Sequence, residues 1–212
     1  DPDIPILLCP ATPYKFLPEH DWTFAAIASE LQKCQIIFVT DNLARHLSTQ
    51  LERRFRAEFE RAGVDYASHV RFIERLPRPQ YFSLMRRSAL YLDTIVFSGF
   101  NTAMQAFECG LPVVTVEGRF LRSRFASGLL RKMGIDELVA SDSQEYVQRA
   151  VELLRNPSLM RVIRQKITDR FPGLLDQHES IRSLERFIES VVPRDSVTSS
   201  TSWLRRIKSL RK

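Results

Sequence analysis

The strongest constraint on the fold is a rhythm. Short apolar runs alternate with longer stretches that are apolar on one helical face only. The runs are IPILLC (Ile4 to Cys9), QIIFVT, HVRFI, ALYLDT and PVVTV, with ELVA as a shorter sixth. A strand that is apolar on both sides has to be covered on both sides, which is the condition of a parallel sheet between two helical layers. The segments between supply the helices: WTFAAIASELQK, NLARHLSTQLERRFRAEFERAG, PQYFSLMRRS, TAMQAFEC and FLRSRFASGLLRKMG. Asn42 is placed to cap the second of these and Gly63 to stop it. SQEYVQRAVELLRN, PSLMRVIRQKITDRF after Pro157, and ESIRSLERFIESVV read as three consecutive helices. The alternation predicts an α/β fold, a doubly wound parallel sheet of Rossmann-like order 3-2-1-4-5.

The expected organisation is one such domain over 1–193, a flexible linker RDSVTSSTS over 194–202, and a basic amphipathic tail WLRRIKSLRK over 203–212. The net charge of +6 belongs to that tail. From Arg194 onward there are six Lys/Arg and one Asp, which leaves 25 against 24 in the body. A balanced body argues against nucleic-acid binding. In the tail, Trp203, Leu204, Ile207 and Leu210 share a face bordered by cations, the makeup of a membrane-surface helix. A helix docked on another domain and an unstructured end are the alternatives. No apolar run approaches the length of a membrane span. The chain opens on Asp-Pro-Asp, shows no signal peptide, and reads as a piece of a longer protein. Cys9, Cys34 and Cys109 sit in or beside apolar segments and read as buried thiols of a cytoplasmic protein.

Chemistry in such a sheet sits beyond the carboxyl ends of the strands where their order reverses, here strands 1 and 4. Two unusual loops leave those strands, PATPYKF and FSGFNTA. Ser98, Gly99, Asn101 and Thr102 suit a phosphate cradle, because glycine permits close backbone approach and a helix start favours an anion. Lys15, in the opposite loop with Thr12, is a mobile cation for the same charge. Ordinary helix capping and a solvated lysine are the plainer alternatives. The G-x-G-x-x-G and P-loop fingerprints are both absent, which disfavours dehydrogenases and NTPases.

The segment from LYLDTIVFSGFNTAMQAFECGLPVVTVEGRF to QEYVQRAVELL resembles the C-terminal half of the O-linked N-acetylglucosamine transferase family. The similarity is strongest from Leu92 to Leu154 and reaches back thinly to PYKF and RLPRPQY. It implies the C-terminal, nucleotide-binding half of a GT-B glycosyltransferase, with UDP-GlcNAc or UDP-Glc as donor. It further implies no metal or other cofactor, an N-terminal GT-B domain as partner and a protein acceptor. By resemblance Lys15 contacts the diphosphate and acts catalytically on the departing UDP. Asn101 and Thr102 donate to the phosphates, Leu76 lies where backbone reads uracil, Arg78 is a basic position near the nucleotide, and Tyr81 places a ring against the base. Gln105 stands where an acidic residue usually grips the ribose, and Phe100 where nucleocytoplasmic members carry histidine. Of two arginines in GRFLRSRFAS, Arg124 joins the binding residues and Arg122 reads as a surface charge.

Other signals are set aside. Asp1-Pro2-Asp3 spells a metal motif of a different glycosyltransferase fold, by chance at a terminus. His20, His46, His69 and His178 lack ligand spacing, and His20 reads as a surface or capping residue. Tyr91 and Phe97 read as core. Two rival functions remain: a GT-B transferase acting on a lipid or glycan at the inner face of a membrane, and a non-catalytic nucleotide-binding module.

Overall fold

Six short strands form the centre of the chain, all parallel: β1 Ile6–Cys9, β2 Gln35–Val39, β3 Val70–Ile73, β4 Leu90–Leu92, β5 Val113–Val116 and β6 Val139–Ala140. Their order, β3-β2-β1-β4-β5-β6, extends the predicted order by the short ELVA strand. In the computed structural model, residues 4–40, 44–175 and 178–192 are described. Asn42, the Asp1–Asp3 motif, the 194–202 linker and the 203–212 tail lie outside them.

The helices are α1 Trp22–Leu31, α2 Arg45–Arg61, α3 Tyr66–His69, α4 Arg78–Arg87, α5 Asn101–Glu108, α6 Phe125–Lys132, α7 Ser143–Arg155, α8 Pro157–Arg170, α9 Pro172–Leu175 and α10 His178–Val191. Local chemistry sets their ends. Gly63 stops α2 at φ 68°, the left-handed region that costs glycine little. The Asn156 side chain accepts from the Leu159 amide, with Pro157 as first helical residue of α8. Contacts divide the chain into two units, Asp1–Leu174 and Leu175–Lys212, where the sequence suggests one domain through 193. The second unit contains α10, whose Ile181, Leu184, Phe187 and Ile188 are exposed.

Within the first unit, β1, β4 and β5 are almost completely buried, and α2 turns Ser48, Leu51, Phe55 and Phe59 inward at helical spacing. Each buried Leu, Ile or Phe contributes about 1.5–3 kcal/mol. Around β2 these side chains form an aromatic cluster. Phe38 lies 4.7 Å from Phe55 and 5.1 Å from Phe24, and Phe16 approaches all three rings at 5.8–6.1 Å. Phe16 follows Lys15 directly, so the core pins the loop that carries the lysine. Cys9 and Cys34 are buried, Cys109 is half-buried, and all three are free thiols; burial pushes Cys34 up to about 11, far from reactive.

Candidate functional site

β1 and β4 pair directly, with Leu7 beside Leu90 and Leu8 beside Tyr91, so the loops leaving them emerge side by side. After β1 the chain makes a short 3₁₀ turn, Pro13–Lys15, closed by the Lys15 amide on the Thr12 carbonyl at 3.0 Å. Arg54 of α2 grips the stretch that follows. Its Nε donates to Asp21 Oδ2 at 2.7 Å, and its Nη2 donates to Asp21 Oδ1 at 2.8 Å and to the Phe16 carbonyl at 3.1 Å.

After β4 the chain is organised by a buried carboxylate. Asp93 is 1% exposed. Its Oδ1 accepts from the Gly99 amide at 2.9 Å, and its Oδ2 from the Ser98 and Thr115 hydroxyls at 2.6 and 2.8 Å. The Tyr146 hydroxyl of α7 donates to the Asp93 carbonyl at 3.0 Å. Burial pushes the Asp93 carboxyl above its ordinary range, a shift partly offset by those hydrogen bonds and by the nearby Lys15 charge. Gly99 is where it is because there is no room for more: a Cβ there would lie 2.3 Å from Thr102 Oγ1.

The two loops meet. Lys15 Nζ donates to the Ser98 carbonyl at 3.5 Å and lies 4.5 Å from the centre of the Phe97 ring. Beside this junction opens a cleft of about 540 Å³, walled by the ends of β1, β2 and β3 and by the starts of α4 and α5. It collects Thr12, Leu76, Arg78, Tyr81, Thr102 and Gln105, residues separated by up to 93 positions in the chain. Asn101, exposed, opens α5, whose first amides have no partner within the helix. Among the described residues the cleft wall carries Arg75 and Arg78 and no carboxylate. Two residues that line it, Thr12 and Tyr81, have their hydroxyls buried within the protein without a hydrogen-bond partner. Burial raises the Tyr81 phenol far above its usual range, so Tyr81 presents its ring to the cleft as a neutral side chain.

Three assignments change. The Ser98 hydroxyl faces inward: it donates to Asp93 and accepts from the Ala126 amide at 2.9 Å, capping the start of α6, so only its carbonyl is turned to the site. The Gly99 amide is likewise spent on Asp93, and the cradle is left to the start of α5. Arg124 does not line the cleft. It folds back so that its Nε donates to the Gly118 carbonyl at 2.7 Å, 3.9 Å from a Glu117 carboxylate oxygen. Arg124→Ala is therefore expected to leave nucleotide affinity within a factor of two, checked by calorimetric titration. Arg122 lies over the Phe120 ring at the surface, as expected. Tyr91 is core, but Phe97 is not: it is partly exposed and faces Lys15. His20 is half-buried, Nδ1 against the Ser143 hydroxyl at 2.9 Å, a structural partner. The residues that sequence reasoning missed, Pro10, Ala11, Val39, Thr40 and Arg75, sit at strand ends. A rule that any residue just past a parallel strand faces the crevice would have found them.

Comparison with known proteins agrees with this fold. Residues 48–175 match the model of Glycosyl transferase family 41. A probable UDP-N-acetylglucosamine–peptide N-acetylglucosaminyltransferase SPINDLY of Arabidopsis thaliana is 28% identical over 58% of the chain. The corresponding peptide N-acetylglucosaminyltransferase of Caenorhabditis elegans is 28% identical over 72% of it. The chain spans 14% of the length of each relative. A solved mutant of the Thermobaculum terrenum O-GlcNAc transferase superposes at TM-score 0.72 with 26% identity, over 82% of this chain and 32% of that one. Sucrose-phosphate synthase of Thermosynechococcus elongatus shares the fold at TM-score 0.64 and 16% identity. The domain is thus the Rossmann-like kind found in GT-B glycosyltransferases. With the family match running over more than half of its residues, including the cleft residues from Arg75 to Gln105 and the start of α5, the chain belongs to glycosyl transferase family 41.

Proposed function

We propose that this chain is the donor-binding half of a glycosyltransferase that takes N-acetylglucosamine or glucose from UDP and delivers it to a protein side chain. One observation carries the reading: the Lys15 ammonium meets the loop that leads into α5 at the tips of two adjacent strands, beside a cleft lined by Arg75 and Arg78 and, among the described residues, by no carboxylate. Such a cleft favours an anion, and the N-terminal amides of α5 add partial positive charge. N-acetylglucosamine and the peptide acceptor come from the names of the relatives.

In this mechanism the diphosphate lies against Lys15, Asn101 and Thr102, the ribose near Gln105, and the base between Leu76, Arg78 and Tyr81. An acceptor held by a domain outside this chain attacks the anomeric carbon. The bond from that carbon to the diphosphate oxygen breaks, and UDP departs with the electron pair. Lys15 and the helix start stabilise the charge that develops on it, the work a metal ion does elsewhere. The free thiols suit a reducing, cytoplasmic setting.

The test is a thermal-shift titration with UDP, ADP and GDP. UDP at about 100 times its dissociation constant adds about 2.7 kcal/mol of stability. Lys15→Ala is expected to abolish most of that gain while costing about 0.5–1 kcal/mol of ligand-free stability. No shift with UDP in the wild-type chain, or an unaltered shift in Lys15→Ala, defeats the assignment.

A further inference from the structure

We infer that Phe97 is the positioning residue for the Lys15 ammonium, an inference that rests on the donor-binding reading above. A lysine is a poor fixed electrode, because its four-carbon stem loses much rotamer freedom on being held. Among the described residues no carboxylate forms an ion pair with Lys15. What holds the amine is the face of an aromatic ring, 4.5 Å from Nζ to the ring centre, together with the Ser98 carbonyl at 3.5 Å. The ring is itself held from two sides. The Thr94 hydroxyl donates to the Phe97 carbonyl at 2.7 Å and closes the turn that presents it. The Tyr14 ring, beside Lys15 in the opposite loop, packs edge-on against Phe97 at 6.2 Å and 63°. Tyr14, Lys15 and Phe97 thus clasp the β1 and β4 loops together at the mouth of the site.

The chemistry explains why a ring serves better than a carboxylate. The negative face of an aromatic ring attracts a cation through its quadrupole without neutralising it. A carboxylate would hold the amine equally well but would compete with the incoming phosphate for its charge. Phe97 therefore orders Lys15 before the ligand arrives and forms no ion pair that the phosphate nearest the sugar would have to break.

The experiment compares Phe97→Leu and Phe97→Tyr with the wild-type 212-residue chain, using UDP and UMP as probes in calorimetric titrations. Phe97→Leu is expected to weaken UDP about 5-fold and UMP by less than 2-fold, because UMP lacks the second phosphate. Phe97→Tyr keeps the aromatic face and restores UDP affinity. Equal losses for UDP and UMP, no loss in Phe97→Leu, or no rescue by tyrosine overturns the inference. A second readout needs no nucleotide: the Lys15 ε-methylene protons should show an upfield ring-current shift in the free protein that disappears in Phe97→Leu. Absence of that shift refutes the clasp even if UDP binds. Failure of the wild-type chain to bind UDP while the shift is present refutes the nucleotide assignment instead.

Discussion

Replacing Asp93 with alanine is expected to lower stability by about 3–5 kcal/mol and to abolish UDP binding, read as a lower urea midpoint at unchanged slope and a flat titration. The magnitude follows from what the substitution strands. Three donors, the Gly99 amide and the Ser98 and Thr115 hydroxyls, converge on one buried carboxylate, and an unsatisfied buried donor costs about 1–3 kcal/mol. The binding loss follows from position: these bonds set the loop whose Ser98 carbonyl meets Lys15 and whose end starts α5. Asp93→Asn, which keeps one acceptor oxygen, should lose clearly less than alanine. Its pH dependence has a definite sign. Burial raises the folded carboxyl above its unfolded value, so the folded state holds the proton more tightly. The stability contributed by that protonation is complete below the unfolded value and is lost as pH rises through the folded one. The stability advantage of wild type over Asp93→Asn is therefore largest in acid and narrows across that window; an advantage that widens with pH contradicts the account.

The second large effect lies at Arg54. Arg54→Ala is expected to cost about 3 kcal/mol, seen as a fall of about 6–12 °C in melting temperature for a chain of this size. The pair is bidentate, Asp21 is buried and Arg54 is only 27% exposed at its side chain, so removing the guanidinium leaves a carboxylate that water does not reach. Burial already raises the Asp21 carboxyl, and the Arg54 hydrogen bonds hold it down. Without them the carboxyl rises further. The cost of Arg54→Ala is thus greatest near neutral pH and shrinks in acid, where Asp21 is protonated. The double variant Arg54→Ala with Asp21→Asn should recover part of the loss, since no charge is left buried. UDP affinity should fall in the single variant too, because Arg54 also holds the Phe16 carbonyl next to Lys15.

The layout of the fold is readable from local pattern because burial on both faces forces apolar runs onto the strands. That is why strand order, the Gly63 stop and the start of α8 at Pro157 all come out of the chain by itself. The 3₁₀ turn at Pro13–Lys15, the short α3 and the 3₁₀ turn ahead of α6 escape such reading, since elements of three or four residues have no period to detect. The site divides in the same way. Lys15, Thr102 and Gln105 are legible because strand-end loops and a helix start carry their own signal. Ser98 and Arg124 mislead, because the same polar types serve ligand and scaffold equally well.

Residue types and their spacing by themselves determined a parallel sheet with its crevice between the first and fourth strands, and a lysine opposite a helix start. Only the folded chain decided which polar groups remain available to a ligand. Asp93 claims Ser98 and Gly99, Gly118 claims Arg124, and Phe97 leaves the core to hold Lys15. The physical reason is that hydrogen-bond capacity is finite and partners are chosen by proximity in space: a carboxylate buried beneath a loop takes the nearest donors first, and sequence distance says nothing about which those are.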